Sequence, residues 1–205
     1  MVTDTQFHTF DAQFNYYNKE LFNGGLSDCM IQTSGHKKYA GFIKMRNWKN
    51  KLAEKEPFIH EISLNPGILG QDDKKYHAEL VHGMVHVWQQ DYGKPSRRMY
   101  HNRQWAQKME EIGLTPSSTG APGGKKTGER VSQFFTPGGL FIKLFNNLTE
   151  RHIKYVPAVL EEEGAAVSQN RSKVTYKCPC GHKVWGKAGL AITCDDCNQI
   201  FKQAN

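Results

Sequence analysis

The sequence predicts an α+β fold, with helices packed on a small three-stranded sheet and a separate small module at the C-terminus. Stretches with the helical spacing of apolar residues lie on both sides of three short stretches rich in β-branched and aromatic residues. Four of the five cysteines then lie in two close pairs between residues 178 and 197. At roughly 100–200 residues per domain, a chain of 205 residues holds one such domain and a small module.

Three helices are predicted from periodicity and end signals. The first, over 7–22, has apolar side chains at helical spacing and ends at an Asn-Gly-Gly sequence. The second, over 73–91, has a buried face of leucine, valine, methionine and tryptophan, and Gly93 and Pro95 follow it. The third, over 102–112, is followed directly by Gly113, which is typical of a helix end.

Three strands are predicted over 29–34, 40–47 and 58–64. Residues 114–130 are rich in glycine, proline, serine and threonine, and we expect an extended basic loop there. The mixed spacing of apolar residues over 131–160 gives no firm prediction. The resulting domain organisation is a first domain over 1–160, a linker over 161–173 and a cysteine-rich module over 174–205.

Composition excludes several classes of protein. Hydrophobic residues make up 38% and charged residues 23% of the chain, which excludes wholesale disorder. No apolar run approaches the ~18 residues of a membrane helix, and the N-terminus does not have a signal-peptide pattern. We therefore expect a soluble, cytoplasmic protein with no membrane partner. The net charge of +7 favours a polyanionic partner, with DNA the first candidate, although many basic proteins bind no nucleic acid.

A histidine pair on the second predicted helix suggests a metal site. His82 and His86 are four residues apart, so both imidazoles lie on one helix face and can bind one zinc ion. Such pairs also arise by chance on partly exposed helices. The case is stronger because a turn after Tyr92 would let His101 fold back as the third ligand, which leaves one coordination position open. His77 is off this face, and we expect it at the surface.

The paired cysteines predict a second zinc site. Cys178, Cys180, Cys194 and Cys197 match a closed structural site with four thiolates, which would supply the folding energy of so small a module. The Cys-x-Cys spacing is tighter than the usual one, so His182 is an alternative ligand. Together with the histidine site, this predicts two zinc ions per chain.

Basic residues near aromatic ones are candidates for nucleic-acid contact, because they combine phosphate attraction with base stacking. The alternative is an ordinary solvated surface. The candidates are Lys125, Lys126 and Arg130 in the basic loop and Lys177, Lys183, Trp185 and Lys187 in the module.

Several blocks of the sequence resemble one family. LVHGMVHVWQQDYGKPSRRMYHNRQWAQKMEEIGLTPSSTGAPGGKKTG is similar to the SprT-like zinc metallopeptidases, which include the Spartan proteases. FDAQFNYYNKELFNGGL, AGF at 40–42, EISLNP at 61–66 and the terminal CPC…CDDC also resemble family segments in the right order. The resemblance covers about 5–140 and 174–202. It implies a minimal zincin-like metallopeptidase domain followed by a zinc ribbon, and an endopeptidase that acts on DNA-associated proteins, with His82, His86 and His101 on the catalytic zinc.

One position departs from the family pattern. The family has glutamate after the first histidine, as general base, and this chain has Gly83. Loss of a general base typically costs ~10²–10⁴-fold, so we expect a site that binds zinc and is catalytically impaired. Glu79 is the nearest substitute, but its reach is wrong. The alternative function is a non-catalytic, zinc-containing module that binds DNA or protein.

Overall fold

The computed structural model describes residues 1–34, 40–52, 57–97, 100–157, 174–187 and 189–204. The chain divides into two compact units, Met1–Ala158 and Val159–Asn205. The linker predicted over 161–173 lies outside the described residues. Helices and small sheets occur together, which confirms the α+β class. Within the described part of the chain, no helix combines the length and the apolar character needed to cross a bilayer.

Two helices of the first unit, α3 (Asp73–Tyr92) and α4 (Arg103–Ile112), begin and end at the signals that the sequence carries, whereas α1 begins at Val2, five residues before its predicted start. The long helix α3 starts where the Asp72 side chain accepts a hydrogen bond from the backbone N–H of Lys74. Asn102 caps α4 in the same way, and Gly113 ends it with a φ of 90°. The helices are α1 (Val2–Phe22), α2 (Pro66–Leu69), α3 (Asp73–Tyr92), α4 (Arg103–Ile112) and α5 (Leu140–Asn147).

The main sheet has the three predicted strands, β1 (Cys29–Thr33), β2 (Gly41–Trp48) and β3 (Ile59–Leu64). Their order is β1-β3-β2, with β1 parallel and β2 antiparallel to β3. The central strand is almost fully buried, and Ile62 at its middle is 2% exposed. Strand β2 lies at one edge of the sheet, and both β2 and β3 contact α3.

A second, two-stranded sheet corrects the prediction for 114–130. Leu114–Ser117 forms β4 and pairs antiparallel with β5 (Ser132–Phe135), so the first four residues of the expected loop are strand. The pairing joins residues about fifteen to twenty positions apart, and Leu114 is completely buried by it. The local composition, with Pro116 inside the strand, hides this element.

His77 corrects a second prediction, because it lies in the core instead of at the surface. Its imidazole is fully buried, with Nδ1 3.2 Å from the Tyr17 hydroxyl and Nε2 2.8 Å from the backbone oxygen of Arg151. Burial lowers the pKa of His77 to about 4. Helix α1 and the segment after α5 both cover this side of α3, so α3 is buried on more than one face.

The second unit is a small sheet with a minimal core. Its strands are β6 (Val174–Lys177), β7 (Lys183–Gly186) and β8 (Lys202–Ala204), in the order β7-β6-β8. The buried residues among those described are Tyr176, Cys178, Cys194 and Phe201. Two of these four are cysteines, so the predicted metal ligands form half of the core.

Candidate metal centres

The three predicted histidines meet at one point. Helix α3 supplies His82 and His86 from successive turns, and His101 lies directly before α4. One ligand nitrogen from each lies within 4.8 Å of the other two. The Nε2 atoms of His82 and His101 are 3.0 Å apart. The indole of Trp105 packs against all three imidazoles, with ring centroids 4.3 to 5.2 Å apart.

Hydrogen bonds determine which nitrogen of two imidazoles carries the proton. Nδ1 of His101 is 3.0 Å from the backbone oxygen of Gly128, which can only accept, so this Nδ1 must be the donor. Nδ1 of His82 is 2.9 Å from Oε1 of Gln133, which likewise accepts. Both Nε2 atoms therefore present lone pairs to each other at 3.0 Å. Such an approach is repulsive unless a cation or a proton lies between them.

A proton is disfavoured at this position near neutral pH. Burial lowers the pKa of His82 and of His101 to about 4, and lowers that of His86 well below its ordinary value. All three imidazoles are then neutral at pH 7, which is the form that binds metal. Three convergent neutral nitrogens with an open side fit the pattern of a catalytic zinc site.

The centre opens into a cleft of about 750 Å³. Its walls include the start of β2, α3, the residues before His101 and the residues before β5. The charged side chains of Arg97, Glu129 and Arg130 lie along it. Arg97 and Glu129 form an ion pair at 2.7 Å.

Gly83 lies in this cleft and against the sheet. A Cβ atom at this position would be 3.0 Å from Cγ2 of Ile62, tighter than most real Cβ contacts. The helix therefore approaches β3 more closely than a side chain at residue 83 would comfortably allow. No acid or base is present at the position where the family pattern has its glutamate.

Glu79 is linked to His82 through Gln133. Its Oε1 accepts a hydrogen bond of 2.7 Å from Nε2 of Gln133, whose Oε1 in turn faces Nδ1 of His82. Glu79 also lines the cleft, together with the three histidines. Burial raises its pKa above the ordinary value, while the Gln133 bond lowers it.

Two residues of the centre are missing from the sequence-based prediction. Gly128 and Gln133 contact histidines 27 and 51 positions away. A glycine in a glycine-rich loop and a single glutamine carry no local signal of such contacts. Both depend on the β4–β5 pairing, which the sequence analysis missed.

The four cysteines also converge. Sγ of Cys178 is 3.2 Å from Sγ of both Cys180 and Cys197, and Sγ of Cys180 is 3.6 Å from Sγ of Cys194. Thiolates around one zinc ion with Zn–S near 2.3 Å lie about 3.8 Å apart, so the four cysteines fit one ion with small adjustments. Nδ1 of His182 is 3.7 Å from Sγ of Cys194, and this contact lowers the pKa of that thiol to about 6. His182 is thus a fifth donor at the edge of the cluster.

The candidate basic residues fall into two sets. In β6, Lys177 pairs with Lys183 of β7 and with Lys202 of β8, so the three side chains lie side by side on one sheet face. Trp185 lies on the same face two residues after Lys183 and is 65% exposed. Lys187 is exposed just beyond the end of β7. In the loop of the first unit, Lys125 is exposed, Arg130 lines the cleft and Lys126 pairs with Glu110.

A family model of the SprT-like family matches residues 10–123, more than half of the chain. The chain belongs to the SprT-like family. This family is of the metallopeptidase type, and the match contains all three histidines of the first centre. It ends before Gly128, Gln133 and the cysteine cluster, which is compatible with a zinc ribbon. No characterised protein and no solved structure is significantly similar to the chain.

Proposed function

We propose that this SprT-like chain has a metallopeptidase-type zinc centre at His82, His86 and His101, and that Gly83 leaves it catalytically impaired. The observation that carries the proposal is the 3.0 Å approach of two Nε2 lone pairs, both on imidazoles that are neutral at pH 7. A divalent cation relieves that repulsion. Three nitrogen ligands with an open side favour zinc, and a second zinc on the four cysteines completes two per chain.

The centre has residues that would hold the metal, but it has no general base at residue 83. Zinc bound there would lower the pKa of water and polarise a substrate carbonyl. The three histidines hold the ion, and Trp105 supports their rings from below. No side chain at residue 83 takes up a proton, and Oε1 of Glu79 already accepts a hydrogen bond from Gln133. The missing proton acceptor accounts for the expected impairment of about 10²–10⁴-fold.

A protein substrate fits the shape of the cleft. The start of β2 lines it, and β2 is an edge strand whose partner within the described sheet is β3 alone. A strand at the edge of a sheet can bind an extended peptide by adding a strand, which needs no particular peptide sequence. We therefore propose an extended segment of a protein as the substrate.

The decisive experiment is a cleavage assay of Gly83→Glu. Position 83 lies in the cleft beside the histidines, so a glutamate there restores a proton acceptor. We expect proteolysis that is sensitive to chelators and about 10²–10⁴-fold above the parent chain. The assay includes DNA, and protein substrates both bound to DNA and free.

The matched control is Gly83→Gln, which makes the same packing demand on Ile62 and supplies no base. We expect it to fold, bind two zinc ions and remain inactive. If Gly83→Glu is folded, holds both zinc ions and cleaves nothing with any substrate, the peptidase proposal is wrong. The alternative is then the non-catalytic binding module, which the glycine at position 83 favours.

We further propose that the β6–β7–β8 face contacts DNA. Support comes from Lys177, Lys183 and Lys202 side by side, with the exposed ring of Trp185 on the same face. Lysines attract phosphates, and an exposed indole stacks on unpaired bases. Lys125, Lys126 and Arg130 are weaker candidates, because the loop that carries them also shapes the cleft and because Lys126 is paired.

This contact is tested by measuring affinity for single-stranded DNA at several salt concentrations. We expect Trp185→Ala to weaken binding by about 1–3 kcal/mol, with little change in the salt slope. Lys177→Ala combined with Lys183→Ala should reduce the slope of log affinity against log salt by about 0.7 per lost phosphate contact. The control is Lys125→Ala, for which we expect a smaller effect. Binding that none of these changes alters would contradict the proposal.

A further inference from the structure

We propose that Gln133 is a positioning residue for the zinc centre, and that Glu79 holds it in place. The inference rests on the proposed zinc function. In it, the amide of Gln133 keeps the proton of His82 on Nδ1, so that Nε2 faces the ion. Gln133 belongs to β5, outside the part of the chain that matches the family model.

Three groups form one directed chain of hydrogen bonds. Nδ1–H of His82 donates to Oε1 of Gln133 at 2.9 Å, and Nε2 of Gln133 donates to Oε1 of Glu79 at 2.7 Å. A carboxylate only accepts, so Glu79 fixes which end of the amide faces His82. The amide oxygen then fixes the tautomer of the imidazole. A ligand oriented in this way needs no reorganisation when the ion binds.

The same segment of chain serves a second ligand. The backbone oxygen of Gly128, five residues before Gln133, accepts from both the backbone N–H of His101 at 2.8 Å and its Nδ1–H at 3.0 Å. Residues 128–133 therefore supply the outer acceptors of two ligands, one on α3 and one directly before α4. The β4–β5 pairing holds this segment in register, which gives that small sheet a role at the centre.

The test uses the full chain with three variants. Gln133→Leu keeps the approximate side-chain volume and removes both hydrogen bonds. Glu79→Gln keeps an acceptor behind the amide. The double variant Gln133→Glu with Glu79→Gln exchanges the two groups, so that a carboxylate accepts from Nδ1–H of His82 and an amide donates to it. The readouts are the dissociation constant of the more weakly bound zinc, from chelator competition, and the His82 tautomer, from long-range ¹H–¹⁵N NMR.

For Gln133→Leu we expect zinc binding at the histidine centre to weaken by about 10–100-fold, the usual effect of losing an outer partner of a ligand. The His82 signals should then show a mixture of tautomers. The double variant should return to the parent affinity and the single tautomer. Glu79→Gln alone should weaken zinc binding less than Gln133→Leu does, because its amide can donate as well as accept and no longer fixes the orientation of Gln133. If Gln133 only filled space, Gln133→Leu would keep the zinc affinity and the single tautomer of the parent, because leucine fills the same volume.

Two results overturn the inference in distinguishable ways. If the parent chain binds two zinc ions and Gln133→Leu keeps both the affinity and the Nδ1–H tautomer, Gln133 does not position His82, and the proposed zinc centre stands. If the parent binds one zinc ion only and His101→Ala does not change that number, the zinc centre itself is wrong, and the inference fails with it.

Discussion

The two candidate metal centres depend on their surroundings in opposite ways. In the first unit, capped helices and a large apolar core hold the histidines in place, and one ligand, His101, is 6% exposed. In the second unit, two of the four buried residues are themselves ligands, Cys178 and Cys194. In the first unit the packed core positions the histidines, whereas in the second unit we expect the metal ligands to stabilise the fold.

This difference follows from the amount of apolar surface that each unit can bury. Burial of apolar area stabilises a domain by roughly 25 cal/mol per Å², and the first unit buries aromatic and aliphatic side chains from α1, α3, α4 and the sheet. The second unit has Tyr176 and Phe201 as its large buried side chains. A core of that size does not offset the entropy of ordering the chain, so we expect a bound metal to supply the remainder.

The largest effect is expected from removing each centre in turn. Cys194→Ser should unfold the second unit, because structural zinc supplies about 10–16 kcal/mol in small zinc modules. His101→Ala should cost one zinc ion and leave the first unit folded. Elemental analysis gives the zinc content, and the NMR signals of Trp185 and Trp105 report the two units separately. If the Trp105 signal of His101→Ala moved to the position of an unfolded chain, the first unit would also depend on its metal, and the comparison would be wrong.

A smaller effect is expected from acid, which should lower the free energy of unfolding of the first unit. The metal-free first unit can be used for this measurement if its fold does not depend on metal. The folded pKa of His77 is about 4, below the ~6.5 of an unfolded chain, so between these values the unfolded state binds more protons. The stabilisation is complete above pH 6.5 and is lost as pH falls towards 4. It amounts to about 3 kcal/mol at 1.36 kcal/mol per pKa unit.

The measurement is urea unfolding of the first unit at pH 7.5 and 4.5, with chelator present, for the parent chain and His77→Gln. We expect the parent to lose more stability than the variant over this interval. Asp73 and His152 lie near His77 and are unchanged in both chains, so their contributions cancel. Equal losses in the two chains would show that His77 does not carry this pH dependence.

The smallest effect concerns Gly83. Alanine there gains roughly 1 kcal/mol of helix propensity over glycine, but its Cβ would lie 3.0 Å from Cγ2 of Ile62. Helix propensity alone predicts that Gly83→Ala stabilises the fold, but the close contact with Ile62 opposes this. We therefore expect Gly83→Ala to leave the free energy of unfolding nearly unchanged. Ile62→Ala removes the γ and δ carbons that the new Cβ would meet. A double-mutant cycle from thermal unfolding should give a favourable coupling of about 0.5–1 kcal/mol, and zero coupling would show that the contact has no effect.

The local elements of this protein could be predicted from its sequence. Helical periodicity, caps such as Asn102 and end signals such as Gly113 act over a few residues, so they mark α3 and α4 without knowledge of the fold. A helix also places His82 and His86 on one face whatever packs around it. The turn after α3 made His101 a reasonable third ligand, and the structure brings the three together.

Only the tertiary structure decided the contacts between distant segments. The β4–β5 pairing, the burial of His77 under α1 and the segment after α5, and the contacts of Gly128 and Gln133 with the histidines all join residues far apart in the chain. Their partners are set by which surfaces remain to be covered once the helices and the sheet have packed. Sequence periodicity predicts which face of a helix or strand is buried. It does not predict which other segment of the chain packs on that face.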